Sequence, residues 1–200
     1  MANRFNKEKL INDTYTILSG NFSEYIKEEV LDAVCWAITE RKELEEDFPQ
    51  REQEYPKAKI KGCKYWSLAA LNSAFNVVNG EYKPKKGFDS NKLRHEHVIP
   101  KAIIKNSIIK YQNQKKEIGD IFDKAFACVL TPGEAKEIDS NYKNTMPLGE
   151  SNDDILKIKN LWARYIMSLK KISDIYEVTW ECSSNTWKIK DIKKVEFEQE

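Results

Sequence analysis

The chain has 200 residues, 40% of them hydrophobic and 32% charged, and a formal net charge of +1. That length and balance suit one globular domain, or one compact domain with a helical extension, and allow a sizeable core. No apolar run approaches the roughly 18 residues needed to span a bilayer, and the polar start of the chain has no signal-peptide core, so a cytoplasmic protein is expected.

The small net charge hides a segregation. Residues 1–56 carry 7 basic and 13 acidic side chains, 57–116 carry 14 and 3, and 117–200 carry 12 and 16. The central segment, net +11, holds Lys57, Lys59, Lys61, Lys64, Lys83, Lys85, Lys86, Lys92, Arg94, Lys101 and Lys105. Such a footprint suits a polyanion, because each phosphate neutralised releases condensed counterions. Cys35, Cys63, Cys128 and Cys182 form no CxxC pair, which argues against a zinc ribbon and for buried thiols.

In chain order, the first 50 residues read as helix. Ser23 suits an N-cap, after which Ile26, Val30, Val34, Ala37, Ile38 and Leu44 recur at near-helical spacing. Glu28, Glu29, Asp32, Glu40 and Glu43 make the opposite face acidic. A second helix is predicted over 65–78, with Trp66, Ala69, Ala70, Ala74, Phe75 and Val78 inward; Asn79-Gly80 marks a turn and 84–90 a basic loop. A short strand ending at Pro100 is followed by helix over 101–125, split near 111–114. The apolar run 125–130 has strand length. Thr131-Pro132-Gly133-Glu134 then matches a capping box with proline at the first helical position, opening a short helix that ends before 144–149.

A further amphipathic helix is predicted over 153–171, and 176–182 with 187–197 read as a β-hairpin. Trp36, Trp66 and Trp162 fall on helical apolar stripes and are expected in the core, whereas Trp180 and Trp187 flank the hairpin turn and are expected at the surface. The sum is an α+β chain, mostly helical.

Both histidines lie in Leu93-Arg94-His95-Glu96-His97-Val98-Ile99-Pro100. Histidine transfers protons near neutral pH, and its neutral form ligates metals, so any histidine chemistry must happen here. Strand, Glu96-His97-Val98-Ile99-Pro100, then a second strand at Val129-Leu130-Thr131 running into a helix at Pro132 resembles the HNH, or His-Me finger (ββα-metal), nuclease family over about 50 residues. The resemblance implies a ββα-metal core at 57–150, preceded by an acidic helical region at 1–56 and followed by a helix and hairpin packed on the core at 151–200. It implies His97 as the general base and Glu96 as a ligand of one divalent cation. Carboxylate ligands suit Mg²⁺ or Mn²⁺, and histidine ligation would move the preference toward Zn²⁺, Ni²⁺ or Mn²⁺.

The family usually supplies Asn or His from the helix, and neither falls in the first turn here. Glu134 is the nearest acceptable ligand, with Glu137, Asn141 and Asn144 further along; Glu134 is equally explained as the capping partner of Thr131. His95 would share a strand face with His97, as a substrate or phosphate contact ahead of a further metal ligand or an ordinary polar residue. Arg94 and Lys101 suit phosphate contacts or plain surface charge. Neighbouring Glu96 and His97 can serve one reaction if the backbone turns between them. The expectation is a metal-dependent DNA endonuclease of a restriction, phage-defence or mobile-element kind, with RNA left open as substrate. The rival is an HNH-like nucleic-acid- or protein-binding module without catalysis.

Overall fold

The structure, a computed structural model, describes residues 6–40, 60, 63–168, 174–183 and 186–197. The predicted helical stretch of 41–50 and the proline-bracketed connector after it lie outside the described residues.

The N-terminal region folds as two helices, α1 (Lys7–Ser19) and α2 (Glu24–Glu40). Asn6 caps α1 by accepting from the Lys9 N–H, and the Ser23 hydroxyl accepts from the Ile26 N–H at the start of α2. The predicted helix over 65–78 is instead strand β1 (Tyr65–Ser67), helix α3 (Leu68–Ala74) and strand β2 (Phe75–Val78). The helix is held to its seven residues by Ser67, whose side chain caps Ala70. At the other end, β2 pairs with β3 (Glu81–Pro84) across a turn in which Asn79 and Gly80 both take positive φ.

The histidine run forms β4 (Arg94–His97). Then come α4 (Lys101–Lys110) and α5 (Lys115–Lys124), divided where the split was expected, strand β5 (Ala127–Leu130), and α6 (Pro132–Tyr142), opened by the Thr131–Glu134 capping box. The long helix expected over 153–171 does not form as one piece. A 3-10 turn at Ile155–Lys157 and a short α7 (Ala163–Ser168) take its place. The Asp154 carboxylate caps the first, accepting from the Leu156 N–H, and the Glu150 carboxylate accepts from the Lys159 and Asn160 N–H groups between them. The hairpin is β6 (Ile175–Ser183) and β7 (Thr186–Lys194).

The molecule is α+β. One five-stranded sheet has the order β4-β5-β1-β6-β7. Its β1–β5 pair is parallel and the others are antiparallel. The C-terminal hairpin therefore extends the sheet through β1 rather than lying on a finished core. Successive residues of β5 point to opposite faces. Ala127 and Val129 pack with Trp66, Ala70 and Leu71, while Cys128 and Leu130 pack with Ala135 and Ile138 of α6 and Tyr165 of α7. A separate helical core joins Leu31, Val34, Cys35 and Ile38 of α2 to Ile103, Ile104 and Ile108 of α4 and Ile118, Ile121 and Phe122 of α5. Cys35, Cys63 and Cys128 are buried free thiols, as expected; burial pushes the Cys35 thiol up to about 12. Trp180 departs from expectation: it packs against Trp66 and Phe75 and donates to the Cys63 carbonyl. The Trp187 side chain lies outside the described residues. No helix among the described residues is long and apolar enough to cross a membrane.

Candidate active site

Strand β4 is the edge of the sheet, and its register with β5 decides where each side chain of the histidine run goes. His95 lies opposite Val129 and His97 opposite Ala127, whereas Arg94 and Glu96 lie opposite Leu130 and Cys128. Directly opposed residues of an antiparallel pair share a face. The histidines therefore leave one side of the strand and Glu96 the other. The turn between Glu96 and His97 that would bring both to one point does not occur, because the ladder runs regularly through them to Ala127.

On the histidine side, α2 lies across the strand. The His97 Nε2 is 3.3 Å from the Thr39 hydroxyl oxygen and 3.4 Å from the Cys35 carbonyl oxygen. His95 Nε2 is 3.3 Å from the Thr39 carbonyl oxygen. Trp36 meets both rings, edge-on to His97 at 5.0 Å between centroids and tilted to His95 at 5.5 Å. His97 is only 8% exposed. Burial, with His95 and the cations Lys101 and Arg164 adding to it, lowers its pKa to about 3. The ring is neutral at physiological pH.

On the opposite side, Glu96 faces α6 and α7. Arg164 of α7 is fully buried and sends Nη2 to the Glu96 carboxylate at 3.3 Å and toward Asp139 of α6 at 3.9 Å. Its Nη1 donates to the His97 carbonyl at 2.9 Å and the Val98 carbonyl at 3.4 Å. Its Nε is buried without a hydrogen-bond partner among the described residues. Burial raises the Glu96 carboxyl to about 7, a rise that Arg164 opposes and Asp139 reinforces.

The remaining expected site residues are distributed as follows. Glu134 is buried, and one carboxylate oxygen accepts from the Ser67 hydroxyl at 2.7 Å, the Thr131 N–H at 2.9 Å and the Thr131 hydroxyl at 2.8 Å. It is held as the capping partner and is not brought to Glu96. Glu137 and Asn141 bond each other at the exposed surface of α6, and Asn144 lies beyond the end of that helix. Lys101 is ion-paired with Asp32 of α2 at 3.4 Å, and Lys105 pairs with both Glu28 and Asp32. Part of the basic segment is thus neutralised by the acidic helix. Arg94 stays exposed, with no ion pair among the described residues. No group of three or more His, Cys, Asp or Glu poised to hold a metal occurs among the described residues.

No family model, curated protein or solved structure matches the chain. Its chemistry has to be read from these side chains alone. Three of them, Thr39, Asp139 and Arg164, are absent from the expected site, and Thr39 and Arg164 carry no signal in the sequence. Only Asp139 was within reach of a local argument, since it lies on the same helix as Glu134, five residues on.

Proposed function

We propose that the chain is a metal-dependent endonuclease hydrolysing DNA phosphodiester bonds on the β4–β5–α6 frame, of the restriction, phage-defence or mobile-element kind. The observation that carries this reading is the meeting of Glu96, on the edge strand, with Asp139, on the helix after the partner strand, around one guanidinium. The β4–β5–α6 order and the Glu96-His97-Val98-Ile99-Pro100 run support it.

Carboxylate oxygens are hard donors that suit Mg²⁺ or Mn²⁺. Glu96 and Asp139 fit that donor chemistry and would hold the cation; Glu134, whose Oε2 is shared by Ser67 and Thr131 as the cap of α6, is left to that structural role. A bound cation supplies charge beside the scissile phosphate. The other tasks fall to the chain itself. His97, neutral at working pH, is the base for the attacking water. Because Glu96 and His97 leave opposite faces of β4, this reading requires the end of the strand to turn when cation and substrate arrive, bringing the ring to the phosphate beside Glu96. An arriving phosphate anion strengthens that weak base. Arg94, at the exposed start of β4, meets the phosphate backbone. Nucleic acid approaches along the free edge of β4.

A second reading, a nucleic-acid-binding module without catalysis, is favoured by a specific observation: Arg164 already neutralises both acids while α2 covers the histidines. Cleavage of supercoiled plasmid separates the two. Wild-type protein with Mg²⁺, Mn²⁺ or Ni²⁺ is expected to nick or linearise it, and EDTA to stop this. His97→Ala should lose roughly 10²–10⁴-fold in rate, the usual contribution of a general base, and Asp139→Asn should need more metal. An RNA duplex run beside the plasmid tests the substrate class. Plasmid left intact under every metal, by folded protein that still retards DNA on a gel, selects the binding module.

A further inference from the structure

We propose that the β2–β3 ribbon reads duplex DNA: its outward face, with Asn76, Val78 and Lys83, enters the major groove while Lys86, Lys92 and Arg94 hold the flanking phosphates. The inference rests on DNA as the partner, which the nuclease reading and the binding-module reading share, and it adds a means of choosing sequence.

The register of the ribbon sorts its side chains, since directly opposed residues share a face. Phe75 lies opposite Pro84 and Val77 opposite Tyr82, whereas Asn76 lies opposite Lys83 and Val78 opposite Glu81. The first set turns inward. Phe75 meets Trp66, Tyr82 and Trp180 in the core that also holds Ala127 and Val129. Those two β5 residues lie opposite His97 and His95, so the ribbon stands on the histidine side of the sheet. The second set faces solvent, with Asn76, Glu81 and Lys83 all exposed. Even Val77, on the inward face, is 59% exposed, and Val78 is 42% exposed. The tip therefore projects past the core that anchors its base.

Its dimensions and chemistry fit the major groove. Four residues a side at about 3.4 Å each give a ribbon roughly 13 Å long. The groove, about 12 Å wide and about 8.5 Å deep, admits a two-stranded ribbon. Asn pairs with adenine edges, Lys with guanine edges, and an apolar side chain meets the thymine methyl; Asn76, Lys83 and Val78 are of those three types. Glu81, whose carboxylate is 3.5 Å from Lys83 Nζ, suits a cytosine amino group.

Charge singles out the same region. Within the central basic segment, Lys64, Lys101 and Lys105 are paired with acids. Lys86, Lys92 and Arg94 are exposed and make no ion pair among the described residues. The chain that carries them is tied down. The Lys85 N–H donates to the Ala74 carbonyl at 2.9 Å, and two turns follow, Phe88 N–H to the Lys85 carbonyl and Lys92 N–H to the Asp89 carbonyl, both at 3.1 Å. Phe88 and Leu93 join the core beneath the ribbon. Unpaired cations on a fixed frame next to a protruding ribbon complement the phosphates that border a groove.

The test is binding by full-length protein in EDTA, where no metal-dependent cleavage intervenes. A pool of short DNA duplexes with a randomised centre is offered, and the bound molecules are sequenced. Wild-type protein is expected to enrich a short motif. Asn76→Ala and Lys83→Ala, both at exposed positions outside the core, should each relax the preference at one position about tenfold. Lys86→Ala combined with Lys92→Ala should weaken binding to the whole pool and lower the slope of log affinity against log salt by about 2. A matching pool of RNA duplexes should bind at least about tenfold more weakly, because side chains cannot read the deep, narrow A-form major groove. Wild-type protein that enriches no motif overturns the proposal. So does a motif that Asn76→Ala and Lys83→Ala leave unaltered, a salt slope that the lysine pair leaves unchanged, or RNA bound as tightly as DNA. Protein that enriches a motif but cleaves no plasmid under any metal keeps the ribbon assignment and removes the nuclease reading. Plasmid cleavage without an enriched motif does the reverse.

Discussion

Arg164 is a fully buried cation, and such a group is tolerable only while its counter-charges and acceptors stay in place. Glu96, Asp139 and the carbonyls of His97 and Val98 supply them. Replacing Arg164 with Met removes the cation that faces two acids, one of them largely buried. We expect a loss of about 3–5 kcal/mol in urea unfolding, and a loss within 0.5 kcal/mol of zero would show that the cluster carries no stability. His97 and Glu96 give the folding free energy opposite slopes with pH. The folded His97 titrates near 3 against an ordinary 6.5, so the unfolded chain alone binds that proton in between. Its contribution is complete above pH 6.5 and is lost as pH falls, by up to about 1.4 kcal/mol per pH unit. Glu96, raised from 4.5 to about 7, contributes fully below 4.5 and loses that contribution as pH rises through 7. Between pH 4.5 and 6.5 the two slopes oppose each other. Glu96→Gln should therefore lose stability on acidification more steeply than wild type, and His97→Gln less steeply. Urea midpoints across that window check this, and three parallel profiles would refute it. Glu96 and His97 were legible in the sequence because a short motif carried them. Arg164 and Thr39 were not, because only the fold brings them to the strand.

Elements whose signals are local were read correctly. The Thr131–Glu134 capping box starts α6 where its residues predict, and the apolar run before it forms β5. Its energetic role gives a direct test of Glu134. Glu134→Ala removes the reciprocal cap and the Ser67 bond, and should cost roughly 1–3 kcal/mol, while Mn²⁺ affinity by calorimetry stays unchanged. Weaker Mn²⁺ binding would return Glu134 to the ligand set. Elements decided by distant partners were misread. The alanine-bearing stripe after Tyr65 suits a helix, yet 65–67 pairs with β5 on one side and β6 on the other, and tertiary pairing overrides local preference. The stretch after Asp153 keeps its apolar residues, but the Asp154 and Glu150 carboxylates satisfy backbone N–H groups in a non-helical path.

At the scale of the molecule, the segregated charges meet across α2 and α4, where Glu28 and Asp32 face Lys101 and Lys105. The acidic N-terminal helix is therefore part of the architecture. Lifting α2 off the histidines would expose Leu31, Val34, Cys35 and Ile38, all 3% exposed or less. At about 1.5–3 kcal/mol for each large apolar side chain, that approaches the whole stability of a domain. The helix is a fixed wall, and on the nuclease reading the histidines would be reached along the edge of β4. The sheet order has a further consequence during synthesis. β1 lies between β5 and β6, yet a ribosome delivers it well before either. Until residues 127–130 have been translated, Tyr65–Ser67 has neither neighbour, and one side stays open until 175–183 follow. A nascent chain stalled after α7 would carry the helical layer and β4–β5–β1 with β1 bare at its margin. The last hairpin covers β1 and moves that margin to β7, whose Lys188, Lys190, Lys193 and Lys194 suit an edge that must resist association with other chains.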